Sequence, residues 1–185
     1  SIMKYNSNKV LTCFYQNDTS KEIVASSFNI DTSNQKISII ESLTNSEQTY
    51  GAKIIKSRIS QDETQSYVCY ITDEKNCDCL IYDISNNEWR NHITYLNDCI
   101  ISLDSLNFEY YAISNEFFLY CKQSEFKFSL VKLNQNFQIS NQKFNGIYDL
   151  EDYILNEKNC QSYFLSSIVY ASNNIQVHLT CDNEL

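Results

Sequence analysis

Eight cysteines, at positions 13, 69, 77, 79, 99, 121, 160 and 181, are the residues of this chain best equipped for covalent chemistry. They could hold a metal, act as nucleophiles, or join in pairs. A zinc site calls for two close pairs with gaps of about two to four residues, and Cys77-Asp78-Cys79 is the lone close pair. His92 and His178 sit in strand-like surroundings rather than in a paired Cys/His ligand pattern. An even count spread over the whole length reads instead as a disulfide framework in an oxidising compartment. No metal and no cofactor is expected.

Other chemistries leave no trace either. A serine elbow, a phosphate-cradling loop or a dinucleotide fingerprint each needs several glycines, and Gly51 and Gly146 are all this chain has. His92, in "WRNHITY", reads as an exposed strand residue. The acids Asp73, Glu74 and Asp78 lack the spaced oxygen ligands of a calcium loop, so a solvated hairpin tip is expected there. The chain reads as a protein without catalytic residues, not an enzyme.

Charge narrows the partners. The formal net charge is -9 and the pI is near 4.6, whereas nucleic acid and anionic membranes want clustered Lys and Arg. No apolar run approaches the roughly 20 residues that span a bilayer; "YFLSSIVYA" (163–171) is too short. The opening "SIMKYNSNKV" lacks the apolar stretch of a secretory signal. Asn17-Asp18-Thr19 is an N-glycosylation triplet in a polar turn. With the cysteines, it points to an extracellular or cell-surface protein.

Strands must position these residues. Segments such as "KVLTCFY", "YVCYIT", "CLIYDI", "FFLYC" and "IQVHLTC" alternate apolar with polar and are bounded by Asn, Asp, Ser and Gln. That is the pattern of an all-β fold of antiparallel strands joined by hairpins. "YDLEDYILNEKN" (148–159) is the best short helix candidate. In "FEYYAISNEFFLY", the densest aromatic run, Phe108, Tyr110 and Phe118 are expected in the core.

The strands also repeat. "IDTSNQKI" (30–37) aligns with "YDISNNEW" (82–89), and "LVKLNQNFQI" is a looser third copy about fifty residues further on. Asp31, Asp83 and Asn134 hold equivalent turn positions, where their side chains can bond the backbone two residues on. Strands ending in Cys13, Cys69, Cys121 and Cys181 precede or close each unit. A three-to-four-stranded unit of this period resembles a β-propeller blade. "IYDISNNEW" in particular resembles the third-to-fourth strand turn of kelch-type blades, although that family's paired glycines are missing here.

The resulting units are roughly 1–45, 46–97, 98–145 and 146–185, about three and a half full repeats against the four to eight blades of a closed propeller, so a larger chain or an open stack is expected if the repeat holds. Equivalent spacing predicts the bridges Cys99–Cys121 and Cys160–Cys181. Cys69 is expected to bond Cys77 or Cys79, and Cys13 to take the remaining one unless its partner lies before residue 1.

A second architecture competes. "ETQSYVC" (63–69) resembles the tyrosine corner of immunoglobulin-like domains, which implies two tandem sandwiches, 1–97 and 98–185, with bridges Cys13–Cys69 and Cys121–Cys181. Against it, the one Trp is at 89 and Leu179 replaces the second Tyr.

The expected function is a non-enzymatic binding or adhesion module with a protein or glycan partner. A self-associating subunit of an extracellular fibril or coat is the alternative, and a carbohydrate-active hydrolase on a propeller scaffold the third.

Overall fold

Runs rich in Ile, Val, Tyr and Phe favour extended pairing, because branched and aromatic side chains fit a pleated, half-buried surface. The Asn, Asp and Ser between them supply the turns. The computed structural model describes residues 2–5, 10–17, 19, 22–31, 33–48, 51–60, 62–86, 88–103, 105–111, 114, 116–124, 127–136, 138–140, 145–149, 162–171 and 174–182. Their regular structure is β-strand, and every described strand pairing is antiparallel. The all-β, disulfide-bonded reading of the sequence holds.

The chain divides into two compact units, Ser1–Tyr95 and Leu96–Leu185. The first unit begins with β1 (Ile2–Tyr5), β2 (Val10–Asn17), β3 (Glu22–Asp31) and β4 (Lys36–Gln48), which form one sheet in that order. A second sheet follows from β5 (Ile54–Ile59), β6 (Gln65–Ile71), β7 (Cys77–Asp83) and β8 (Glu88–Leu96), again in chain order. Their shared core joins Phe14, Ile23 and Ala25 of the first sheet to Val68, Tyr70, Leu80 and Tyr82 of the second. The Phe14 ring meets Tyr82 edge-on at 5.7 Å and Trp89 at 5.8 Å. The opposite face of β6 and β7, with Tyr67, Cys69, Ile71, Cys77, Cys79 and Ile81, is buried too.

The second unit contains β9 (Leu106–Tyr111), β10 (Glu116–Lys122), β11 (Lys127–Asn134) and β12 (Gly146–Asp149), in the order β12-β11-β10-β9. A hairpin of β13 (Ser162–Ala171) and β14 (Asn174–Asp182) follows. One face of the four-stranded sheet packs Phe118, Tyr120, Phe128 and Leu130 together, with Tyr111 and Tyr148 at the margin. On the other face Phe117 stacks on Phe108 at 5.4 Å and tilts against Tyr110 at 4.7 Å.

Several expectations need correction. Residues 148 and 149 end a strand, where β12 pairs with β11, so the helix expected to start there does not; the rest of that segment, 150–159, lies outside the described residues. Asp78 is buried in β7 rather than solvated at a tip, since the strand is covered along its whole length. Tyr110 is half-buried, whereas Phe108 and Phe118 are fully enclosed.

The structure contains the bridges Cys69–Cys79 and Cys99–Cys121. Cys77 is a free, buried thiol, so the expected Cys13–Cys77 bridge is not formed. The register explains this: Cys79 lies directly across from Cys69, while Cys77 faces Ile71. The sandwich pairings Cys13–Cys69 and Cys121–Cys181 fail for the same reason, because Cys69 and Cys121 already have partners. Cys160 lies outside the described residues, as do the side chains of Cys13, Cys181, Asn17 and His92.

Candidate functional site

Three described turns, those of Asp31, Asp83 and Asn134, are each built around one short polar side chain. Asp31 Oδ1 accepts from the backbone N–H of Ser33 at 3.0 Å and of Asn34 at 3.2 Å, and Oδ2 accepts from the Asn34 side chain at 2.7 Å. Asp83 takes the equivalent pair from Asn86. Its Oδ2 also lies 3.1 Å from Arg90, which reaches Glu88 as well. Asn134 Oδ1 accepts from the backbone of Asn136 and Gln138, each at 2.9 Å. At two of these turns the residue before the turn opposes an apolar residue after it: Ile30 faces Ile37 and Leu133 faces Ile139.

Electrostatics follow from those bonds. The Asn34 side chain, together with the Asn34 and Ser33 backbone, holds the Asp31 carboxyl below its ordinary value. Burial pushes Asp83 up, but the Asn86 side chain and backbone, with Arg90, outweigh it and leave the group lowered. A further turn that the sequence reading missed centres on Asp62. It accepts from the Ser60 hydroxyl at 2.6 Å and from both the backbone and hydroxyl of Thr64, and its carboxyl is lowered in turn. The signal was there: Ser60, Asp62 and Thr64 alternate in one polar cluster.

The most solvent-exposed large hydrophobic residue among those described is elsewhere. Between β8 and β9 the described residues 97–103 and 105 belong to a loop that Cys99 fastens to Cys121 of β10. Two backbone bonds clamp it around Lys122: Ile100 donates to the Lys122 carbonyl at 2.9 Å, and Lys122 donates to Ser105 at 2.7 Å. Ser102 and Ser105 close the loop on themselves, with the Ser105 hydroxyl donating to the Ser102 carbonyl at 2.6 Å and accepting from its N–H at 3.2 Å. The Gln123 side chain donates to the Asn97 carbonyl at 2.9 Å.

So held, the loop turns Ile101 and Leu103 outward, 43% and 86% exposed. A fixed loop with two aliphatic side chains in water can fill an apolar recess on another molecule, because little conformational freedom remains to be lost on docking. The aromatic run that the sequence singles out contributes less surface, since Phe108, Phe117 and Phe118 are buried. What could have pointed to the loop is "CIISL" itself: consecutive apolar residues beside a cysteine, without the alternation of a half-buried strand.

Among the described residues no cluster of three or more His, Cys, Asp or Glu could hold a metal. His178 is exposed on β14, Asp73 pairs with Lys53 at 3.1 Å, and Glu74 is exposed beside it. No helix among the described residues is long and apolar enough to cross a membrane.

No protein-family model matches the chain. No curated protein matches it either. Among solved structures it is similar to a prolyl oligopeptidase B from Galerina marginata bound to a 25mer macrocyclization substrate, with 10% identity and a TM-score of 0.37. The match covers 80% of this chain and 25% of that one.

Proposed function

We propose that this chain is a non-enzymatic binding module of an extracellular or cell-surface protein, built from propeller-like β repeats. The observation that supports it most is the loop 97–105, held by the Cys99–Cys121 bridge while it presents Leu103 and Ile101 to solvent. Aliphatic side chains offer no flat ring for a sugar to stack on, so a protein partner suits this loop better than a glycan. The two bridges favour an oxidising compartment, and Asn17, at the end of β2, is read as carrying an N-glycan. Glycosidase treatment of secreted material should then remove mass from the Asn17 peptide.

The test compares labelled wild-type protein with Leu103→Asp and Ile101→Ser for binding to intact cells of the protein's own source. Removal of a central anchor costs on the order of 2 kcal/mol, so binding should weaken roughly thirty-fold in Leu103→Asp while both bridges and the strand spectrum remain. Unchanged binding by folded Leu103→Asp would reject the loop as the site.

Self-association into a fibril or coat is a second reading, favoured by one observation. β12 is the outer strand of its sheet and leaves Ile147 67% exposed, and open edges with apolar side chains invite pairing. Sedimentation that shows discrete particles at all concentrations would count against it.

A further inference from the structure

Beside the Cys69–Cys79 bridge stands a third sulfur. Side chains two apart on a strand share a face, so Cys77 and Cys79 both project from the side of β7 that meets Cys69 of β6. Cys79 is directly across, with its Cα 4.1 Å from that of Cys69. Cys77 is one rung along, a buried free thiol opposite Ile71. Diagonal neighbours on such a ladder sit ~7–8 Å apart, beyond the ~4.4–6.8 Å between Cα atoms that a disulfide normally spans.

With the Cys69–Cys79 bond in place β7 cannot slide, so Cys77 reaches Cys69 only when the turn end of the hairpin opens locally, and a Cys69–Cys77 bond then fixes β7 two residues along β6. A one-residue slip would turn every side chain to the wrong face, but a two-residue slip leaves each on its own. The turn tolerates it as well. Thr72 now bonds Asn76 around Asp73, Glu74 and Lys75, while the Ile71 carbonyl faces away and accepts from Lys53; after the slip the closing hydrogen-bonded pair would be Tyr70 and Asn76 around residues 71–75, a loop of about five residues that hairpins also use.

We propose that Cys77 is an exchange thiol and that this hairpin has two covalent registers, one closed by Cys69–Cys79 and the other by Cys69–Cys77. In the exchange Cys77 gives its proton to solvent and its sulfur attacks Sγ of Cys69 along the line of the existing bond. The Cys69–Cys77 bond forms, the Cys69–Cys79 bond breaks, and Cys79 leaves as a thiolate that takes up a proton. One disulfide and one thiol are present before and after, so no oxidant or reductant is consumed.

The present register is the resting one. It keeps the Thr72 hydroxyl as acceptor for the Asn76 N–H at 3.1 Å. Burial, with the Asp78 carboxylate adding to it, pushes the Cys77 thiol far above its ordinary value. Thiolate is then scarce in the closed hairpin, and exchange waits on local opening. The sulfur triad thus converts a transient opening of β6–β7 into a covalent record of it.

The test is a urea series on native protein, kept below the global unfolding transition, quenched in acid, alkylated and fragmented to locate the labelled thiol. The label should shift from Cys77 to Cys79 in a fraction that rises with urea, with Cys99–Cys121 intact. A label confined to Cys77 at every concentration overturns the proposal, and so does a shift accompanied by scrambling with Cys121. Cys79→Ser, refolded in a reduced and oxidised glutathione mixture, should acquire Cys69–Cys77. Folded Cys79→Ser with both thiols free would also overturn it, and should that variant fail to fold, the wild-type series decides.

Discussion

Without proline and with two glycines, this chain turns its corners with ordinary side chains. Gln35, Glu63, Lys75 and Asp98 all adopt left-handed backbone, with φ from 52° to 65°, a conformation that costs most L-residues about 1–2 kcal/mol. Lys75 closes the β6–β7 turn through its N–H to Thr72. Lys75→Gly should therefore stabilise the protein by about 0.5–1 kcal/mol, once the greater freedom of glycine in the unfolded chain is subtracted. A higher urea midpoint with unchanged slope would show it. Gly51 is the opposite case: φ is +78° and a Cβ there would collide with the Asp73 carboxylate.

The lowered carboxyls give acid sensitivity a direction. A group whose folded pKa lies below its unfolded one contributes in full above the unfolded value and loses that contribution as pH falls through the folded value. Asp31, Asp62 and Asp83 all have this sign. Stability should decline below about pH 4, and Asp83→Asn should flatten part of that decline, read as a smaller drop in urea midpoint. Asx turns are legible from sequence because the bond reaches two or three residues, so residue type and position suffice. The αL residues were not legible, since Lys75 and Gln35 carry no preference for that conformation and the hairpin imposes it.

At the scale of strands, alternation identified the elements but misjudged some polar residues inside them. Lys132 on β11 stands between the apolar Val131 and Leu133. Yet its side chain is 5% exposed, and its Nζ lies 2.8 Å from Glu116 Oε1 and 5.8 Å from the Phe118 ring centroid. An inner strand of a covered sheet offers no outward face, and the buried Nζ finds its partner in Glu116. Removing one partner strands the other, so Lys132→Ala should cost about 3 kcal/mol, while Lys132→Met with Glu116→Leu should cost much less. A double-mutant cycle in urea measures the coupling.

At the scale of the molecule, the Asx turns of Asp31, Asp83 and Asn134 were visible in the sequence because each is local. Which side chains cover which was not, since Phe14 meets Tyr82 and Trp89 across many intervening residues. The sulfur pairing shows the same divide: spacing narrows the choice at Cys69, and only strand register separates Cys79 from Cys77.

A non-reducing disulfide map of native protein, with alkylation before and after unfolding, tests the scaffold most directly. It should return Cys69 linked to Cys79 and Cys99 linked to Cys121, with Cys77 labelled only once the chain is opened. Linked peptides Cys13–Cys69 or Cys121–Cys181, or all eight cysteines free, would contradict it.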